Sequence, residues 1–245
     1  YNVGKLLSEA GKHYGEGIIK EYSKRLTKDL NKKYSIRILY KMKKYYNYIS
    51  SQKVPTMSAK LLWSHYDEIL KLDNYNEINY YIKISEEQNL SVRELRSKIK
   101  NNEYERLDDK TKEKLKENKI NNEVTDYIKN PILINNKNNY TEISEKMLQK
   151  IILEDIPSFL DELGTGFTFI RNEYKIKIGD RYNYIDLLLF NYEFNCFVVV
   201  ELKVTELKKE HIGQILVYMN YIDNNLRKAT QDKTIGIIIC KKDNK

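Results

Sequence analysis

The alternation of apolar and polar positions along the 245-residue chain changes rhythm near residue 107. Before that point Leu, Ile and Tyr return every three or four places with almost no proline, the period of helices that bury one face. The polar stretch 50-SSQKVPTMS-58, with Pro55, reads as a connection between helical pieces. Residues 108–123, DDKTKEKLKENKINNE, have little apolar content and no strand signal, as a linker or a solvated helix does. A different texture follows. It predicts an amphipathic helix over 141–163, a glycine turn at 163-LGTGF-167 and strands over 167–177, 183–191 and 196–204. A helix over 208–226 and a last strand over 234–240 complete it. The expected fold class is α+β overall: an all-helical domain over 1–107, a linker over 108–130, and an α/β domain with a central mixed sheet over 131–245.

Two segments of the helical half echo each other, 29-DLNKKYSIRILYKMKKYYN-47 and 84-ISEEQNLSVRELRSKIKNN-102. Each places Ser, then Ile or Val, then Arg at the head of a helical pattern (Ser35, Ile36, Arg37 and Ser91, Val92, Arg93). Serine there is a good N-cap, because its hydroxyl accepts from the exposed amides of the first turn. A short helix, a polar turn and a capped second helix give the outline of a helix-turn-helix. In the first copy Arg37, Lys41 and Lys44 fall on one helix face, with Ile36, Leu39 and Met42 roughly opposite.

Charge sharpens that outline. The formal net charge is +8, and residues 1–44 hold twelve Lys or Arg against four Asp or Glu, so the whole excess lies in that block. A localised basic block points to a polyanion, with nucleic acid the first candidate. Arg37, Lys41, Lys44 and Lys33 are the expected phosphate contacts, displacing counterions as they bind. A solubilising face in a Lys- and Asn-rich sequence is the competing explanation. The second copy lies in charge-neutral surroundings and reads as structural.

The most strand-like segment, 182-YNYIDLLLFNYEFNCFVVVELKV-204, carries charge where a buried strand should not want it. Glu201 and Lys203 are two apart and share a sheet face, while Leu202 points to the opposite layer. A short turn around 191-NYEFN-195 lets the two runs pair as a hairpin, bringing Asp186 within reach of Glu201. Two carboxylates and a strand carbonyl make an oxygen-rich site suited to Mg²⁺ or Mn²⁺. Such an ion lowers the pKa of bound water and neutralises charge on a phosphoryl oxygen. Lys203 beside it orients or deprotonates the attacking water, or stabilises the pentacovalent transition state, its pKa free to fall in a partly desolvated place. A structural ion pair at the strand ends is the alternative, and spacing alone leaves both open.

Composition narrows the class. No run approaches the roughly 18 apolar residues a membrane helix needs, and no signal-peptide pattern opens the chain. Cys196 and Cys240 both lie in strand-like segments, which fits buried free thiols of a cytoplasmic protein better than a disulfide. With three scattered histidines (His13, His65, His211) a zinc site is not expected. The chain begins at Tyr1 and stops on 241-KKDNK-245, as expected of a piece of a longer protein whose second domain is cut short.

Nine pieces in order resemble the PD-(D/E)xK nuclease superfamily and, within it, the YhcG-like family. They are 34-YSIRILYKMKKYY-46, 63-WSHY-66, 90-LSVRELRSKI-99, 127-YIKNPIL-133, 160-LDELGTGFTF-169, 184-YIDLLLF-190, 197-FVVVELK-203, 213-GQILVYMNYID-223 and 235-IGIIIC-240. The resemblance implies a restriction-endonuclease-like fold for the second part, a helical DNA-binding module before it, and metal-dependent hydrolysis of phosphodiester bonds in DNA. By that resemblance Asp186 and Glu201 are metal ligands for Mg²⁺ or Mn²⁺, and Lys203 is the catalytic lysine. Gln214 becomes an active-site glutamine contacting substrate or the lysine; otherwise it is a half-exposed helix polar residue. A homodimer is compatible with cutting both strands. One departure stands out. The family places a glutamate after a leucine in the first helix of this domain, and here 148-LQ-149 puts Gln149 in its place. Glu145 one turn earlier, or Glu142 before it, is expected on the same face and could complete the metal site. Pro157 should kink or restart that helix near Ile156. A catalytically idle nuclease fold used for docking, and a nuclease directed to RNA, both remain open.

Overall fold

The computed structural model describes residues 2–14, 17–31, 33–52, 61–116 and 123–240. The chain forms two compact units, Tyr1–Glu105 and Arg106–Lys245. In the first unit the described residues are helical: α1 (Asn2–Tyr14), α2 (Gly17–Asp29), α3 (Ile36–Gln52), α4 (Trp63–Ile69), α5 (Tyr75–Glu87) and α6 (Val92–Lys100). Pro55 lies outside the described residues. The three-to-four spacing buries Leu7, Ile19 and Leu39 where α1, α2 and α3 meet. It buries Tyr45, Tyr66 and Leu70 between α3 and α4, with the two tyrosine rings edge to face at 4.9 Å. At Gly4 the backbones of α1 and α3 come together, since an added Cβ would lie 2.1 Å from the carbonyl oxygen of Met42. Both serines cap as expected: Ser35 Oγ accepts from the N–H of Ile38, and Ser91 forms a reciprocal capping box with Glu94.

In the second unit, part of the segment expected as a linker is folded. α7 (Asp109–Lys116) and a 3₁₀ turn (Val124–Tyr127) are joined by Lys114 on the Asp126 carboxylate at 2.9 Å, and Val124 enters the core. Then come α8 (Glu145–Glu154), α9 (Ile156–Leu163), β1 (Phe167–Ile178), β2 (Arg181–Asn191), β3 (Cys196–Leu202), α10 (Lys209–Asn225) and β4 (Ile235–Ile239). The helix expected over 141–163, with a kink or restart near Ile156, is two, because Pro157 cannot continue α8 but fits the first turn of a new helix starting at Ile156.

The sheet is mixed, in the order β1-β2-β3-β4. Its first three strands are antiparallel and β4 runs parallel to β3, a pairing that needs the crossover α10 provides. Leu187, Leu189, Val198, Val200 and Leu202 pack on α8 and α9 through Ile152, Phe159 and Leu163. Leu188 and Val199 pack on α10 through Ile215, Tyr218 and Ile222. β3 is thus covered on both faces, which explains its unbroken apolar run. Asn191, fully buried, closes the β2–β3 turn: its Oδ1 accepts from the N–H groups of Glu193 and Phe194, and its Nδ2 donates to the carbonyl of Thr165. Gly166, at φ +82°, leaves room for that side chain. Both cysteines are free thiols, and no described helix is long and apolar enough to cross a membrane.

One ion cluster ties α4 to α6. Glu68 accepts from Arg96 at 2.7 Å and from Lys71, and the Arg96 hydrogen bond, despite opposing desolvation, draws its carboxyl down to about 2. A carboxyl depressed in the folded state contributes stability above its unfolded pKa, here about 4.5, and loses it as pH falls toward 2. Urea midpoints measured from pH 6 down to pH 2 should therefore fall, and Glu68→Gln should flatten that fall while costing about 1–2 kcal/mol at neutral pH. An unchanged acid limb in the variant counts against this assignment.

Candidate active site

The β2–β3 ladder stops at the pair Leu187 and Val200. Beyond it the alternation of β2 breaks: Ile185 joins the cluster on the α10 side, Leu187 the cluster on the α8 side, and Leu188 the α10 side again. Asp186 sits at this break. Its carboxylate turns to neither layer but across the gap, where Oδ2 accepts from the backbone N–H of Leu202 at 2.8 Å. Its carbonyl oxygen accepts from the side-chain amide of Gln149 at 3.0 Å. Strand pairing is thereby replaced by side-chain hydrogen bonds, and β2 splays from β3 without orphaned backbone groups at that point.

Glu201 stands on β3 beside the splay, only 2% exposed. Lys203 Nζ donates to its Oε1 at 2.8 Å, while its Oε2 is buried with no hydrogen-bond partner. Glu145 Oε2, at the start of α8, lies 3.7 Å from the same ammonium. Burial pushes the Glu201 carboxyl up, opposed by Lys203 and reinforced by the negative charges of Asp186 and Glu145. Burial also raises Asp186, opposed by the Leu202 N–H and by Lys203, with Glu145 and Glu173 adding to the rise. Lys203 departs from expectation. Burial pulls its pKa down, but the hydrogen bond to Glu201 and three carboxylates outweigh that, so its pKa is raised and the ammonium stays charged. With that ammonium charged, it is placed to donate hydrogen bonds.

The other expected residues divide. Gln149 is 8% exposed and holds the backbone of Asp186, so it occupies the acid's place as a strut. Glu142 precedes Ser144, the N-cap of α8, and so does not share the helix face with Glu145. Gln214 is half-buried on α10 and donates to Tyr218 Oη at 2.8 Å. Tyr218 itself was not foreseen. It is buried one turn beyond Gln214, and its hydroxyl feels the charges of Glu201, Lys203 and Asp186. The i, i+4 spacing from Gln214 was the available signal. Glu173 also escaped notice: it lies on β1 between the pairs Asn172–Leu187 and Tyr174–Ile185, hence facing Asp186, at φ +46°. A left-handed non-glycine residue within a strand is strained, and such strain gathers at functional sites.

In the first unit the basic face of α3 is largely engaged. Lys41, whose side chain is 12% exposed, is bound by the carboxylate and carbonyl of Asp67, and Lys44 by Asp73 and the carbonyl of Leu72 at 2.7 Å. Lys41 and Lys44 therefore brace α3 against the segment around α4. Arg37 and Lys33 remain exposed.

Among the described residues no three His, Cys, Asp or Glu side chains converge as a ready-made ion cage. The donor set nevertheless fits a hard divalent cation that keeps several of its waters, because the Glu201 Oε2 is buried and unpartnered and its carboxyl feels the charge of Asp186. An uncompensated buried carboxylate oxygen costs stability. Glu201→Gln is accordingly expected to stabilise the metal-free protein by about 1–2 kcal/mol in urea unfolding. A destabilised variant would mean that the Glu201–Lys203 pair is a structural clamp.

Comparison with known proteins gives the family. Residues 125–245 match the family model described as the YhcG PDDEXK nuclease domain, and residues 1–106 the one described as the DUF1016 N-terminal domain. The chain is 24% identical over 267 residues to the "Putative nuclease YhcG" of Escherichia coli (strain K12), covering 95% of this chain and 71% of that protein. The crystal structure of a repair endonuclease from Pyrococcus abyssi overlays in part, at 20% identity and a TM-score of 0.30, over 43% of this chain and 41% of that one. With its two halves matched by those two models over nearly its whole length, the chain belongs to the YhcG-like family of the PD-(D/E)xK nucleases.

Proposed function

We propose that this chain is a metal-dependent nuclease that hydrolyses phosphodiester bonds in DNA, with its helical unit as a DNA-binding module. The observation that carries the reading is the buried, unpartnered Oε2 of Glu201, whose carboxyl also feels the charge of Asp186. These two carboxylates would hold Mg²⁺ or Mn²⁺, with Glu145 nearby, 3.7 Å from the Lys203 ammonium. A bound divalent ion there would supply charge neutralisation at the scissile phosphate and a more acidic water. Lys203, held protonated by Glu201, donates to a phosphate oxygen as negative charge builds in the transition state. Asp186 is fixed from two sides by Leu202 and Gln149, so its carboxylate is positioned before substrate arrives. Gln214, whose side-chain amide donates to Tyr218, is the residue that would contact substrate or the lysine.

The chain with Mg²⁺ or Mn²⁺ should cut plasmid or branched DNA, and Lys203→Ala should lower the rate by at least about a hundredfold, whereas cleavage of RNA alone would overturn the DNA assignment. Gln149 favours a second reading, a nuclease fold used for DNA docking alone, since an amide stands where the family's acid is expected. Absence of cleavage on every substrate, with salt-sensitive DNA binding retained, would select it.

For the helical unit, Arg37 and Lys33 are the candidate phosphate contacts, on the α2–turn–α3 outline of a helix-turn-helix. Replacing both by Ala should reduce the slope of log affinity against log salt for duplex DNA by about 1.8, some 0.9 per phosphate lost. Lys41→Ala should instead lower stability and leave that slope unchanged, because its charge is spent on Asp67. A slope that drops with Lys41 and not with Arg37 and Lys33 reverses the assignment.

A further inference from the structure

Where β2 leaves β3, it keeps its pairing with β1. Residues 181–185 pair with 174–178, and β3 reaches no further than Val200 opposite Leu187, so β1 and β2 extend past the sheet as a two-stranded ribbon. Cross-strand partners share a face, so the register assigns each side of the ribbon. Tyr174, Ile176, Ile178 and Ile185 lie on one side and join the α10 cluster. The opposite side carries two cross-strand pairs, Lys175 with Tyr184 and Lys177 with Tyr182. Both tyrosines are exposed, Tyr182 at 58% and Tyr184 at 52%, and the Lys175 ammonium lies 3.8 Å from the Tyr182 ring centroid. Two exposed rings on one face, interleaved with two lysines, form a contiguous patch of the kind that marks an interaction surface.

The strand leads from this face to the candidate active site. At Asn172 and Glu173 β1 enters an open cleft of about 570 Å³, whose other wall is α8, with Lys146 and Gln149. Gln149 is the residue that holds Asp186. Among the described residues no ion pair engages Lys146, Lys175 or Lys177. The cleft's Glu154 is occupied by Asn138 and Tyr140.

We infer that the solvated face of the ribbon is a platform for an unpaired polynucleotide strand, whose bases stack on Tyr182 and Tyr184 while Lys175, Lys177 and Lys146 take its phosphates toward Asp186. Alternating cations and flat rings are the two elements of sequence-tolerant single-strand binding. A duplex hides its base faces in its own stack and leaves the rings unused, so the aromatic content selects an unpaired strand. The inference deepens the nuclease reading and rests on it for the destination of that strand, but binding is tested without cleavage.

The test is fluorescence anisotropy on the full chain in EDTA, using labelled oligothymidylate, oligouridylate and a blunt duplex longer than the roughly 4–16 nucleotides such a platform covers. Tyr182→Ala and Tyr184→Ala should each weaken binding of the unpaired strand about tenfold and leave the duplex within about twofold, with Phe at either position restoring affinity. Lys175→Ala with Lys177→Ala should lower the single-strand salt slope by about 1.4. Whichever unpaired strand the wild type holds tighter names the sugar. Unchanged single-strand affinity in the Ala variants overturns the inference. So does an equal loss on the duplex, which would place the ribbon in a groove instead. Neither result touches the cleavage comparison with Lys203→Ala, so the two readings fail separately.

Discussion

The second unit turns on one substitution of partners: at Asp186 a carboxylate takes the place of a strand. The Leu202 N–H that continued pairing would give to β2's backbone goes to the Asp186 side chain, and the Asp186 carbonyl goes to Gln149. Backbone groups in a buried sheet must be paired, so strands cannot separate there unless side chains take over. That requirement explains why an acid sits in a strand segment otherwise rich in Leu, Val and Phe, with a neutral amide reaching it from α8. The splay also sets the surroundings, because β2 is freed to follow β1 and α8 is brought to the gap with Glu145 at its start.

The same gap stores an unfavourable interaction. Glu201 keeps one oxygen on Lys203 and the other on nothing, in a position with almost no solvent. A carboxylate buried in this way makes sense as half of an arrangement completed from outside, since proteins tolerate such costs where function needs them. The stability of the rest of the unit offsets it: a doubly covered central strand, and a buried Arg106–Glu162 pair whose guanidinium also reaches the carbonyl of Pro131.

Much of this was legible in the sequence. The helical half, the order of strands, the turn at Asn191 and the helix restart at Pro157 follow from periodicity and from the two residues whose backbone chemistry is unambiguous. The meeting of Asp186, Glu201 and Lys203 followed from strand alternation plus a short turn, although alternation alone put Asp186 on a sheet face while the structure turns it across the gap. Three features were hidden for physical reasons. Lys41 and Lys44 look free on a helical wheel because Asp67 and Asp73 are distant in sequence. Glu173 carries no sequence mark, since a left-handed residue inside a strand is signalled by glycine or asparagine and here is neither. Gln149 looked like a lost ligand because its bond is to a backbone atom, which no spacing rule can show.

Lys203 sets the chemistry that the site can support. A lysine desolvated alone falls in pKa and becomes a base, one of the roles that the sequence leaves open beside orienting the water or stabilising the transition state. Here the same burial brings it against Glu201, with Asp186 and Glu145 close by, and the sum of those charges outweighs desolvation. A cation bound between the two strand carboxylates would compete for that negative charge and weaken the hold on the ammonium, freeing it to turn toward an anionic substrate oxygen. In the metal-free protein the Glu201–Lys203 contact is what keeps that lysine charged.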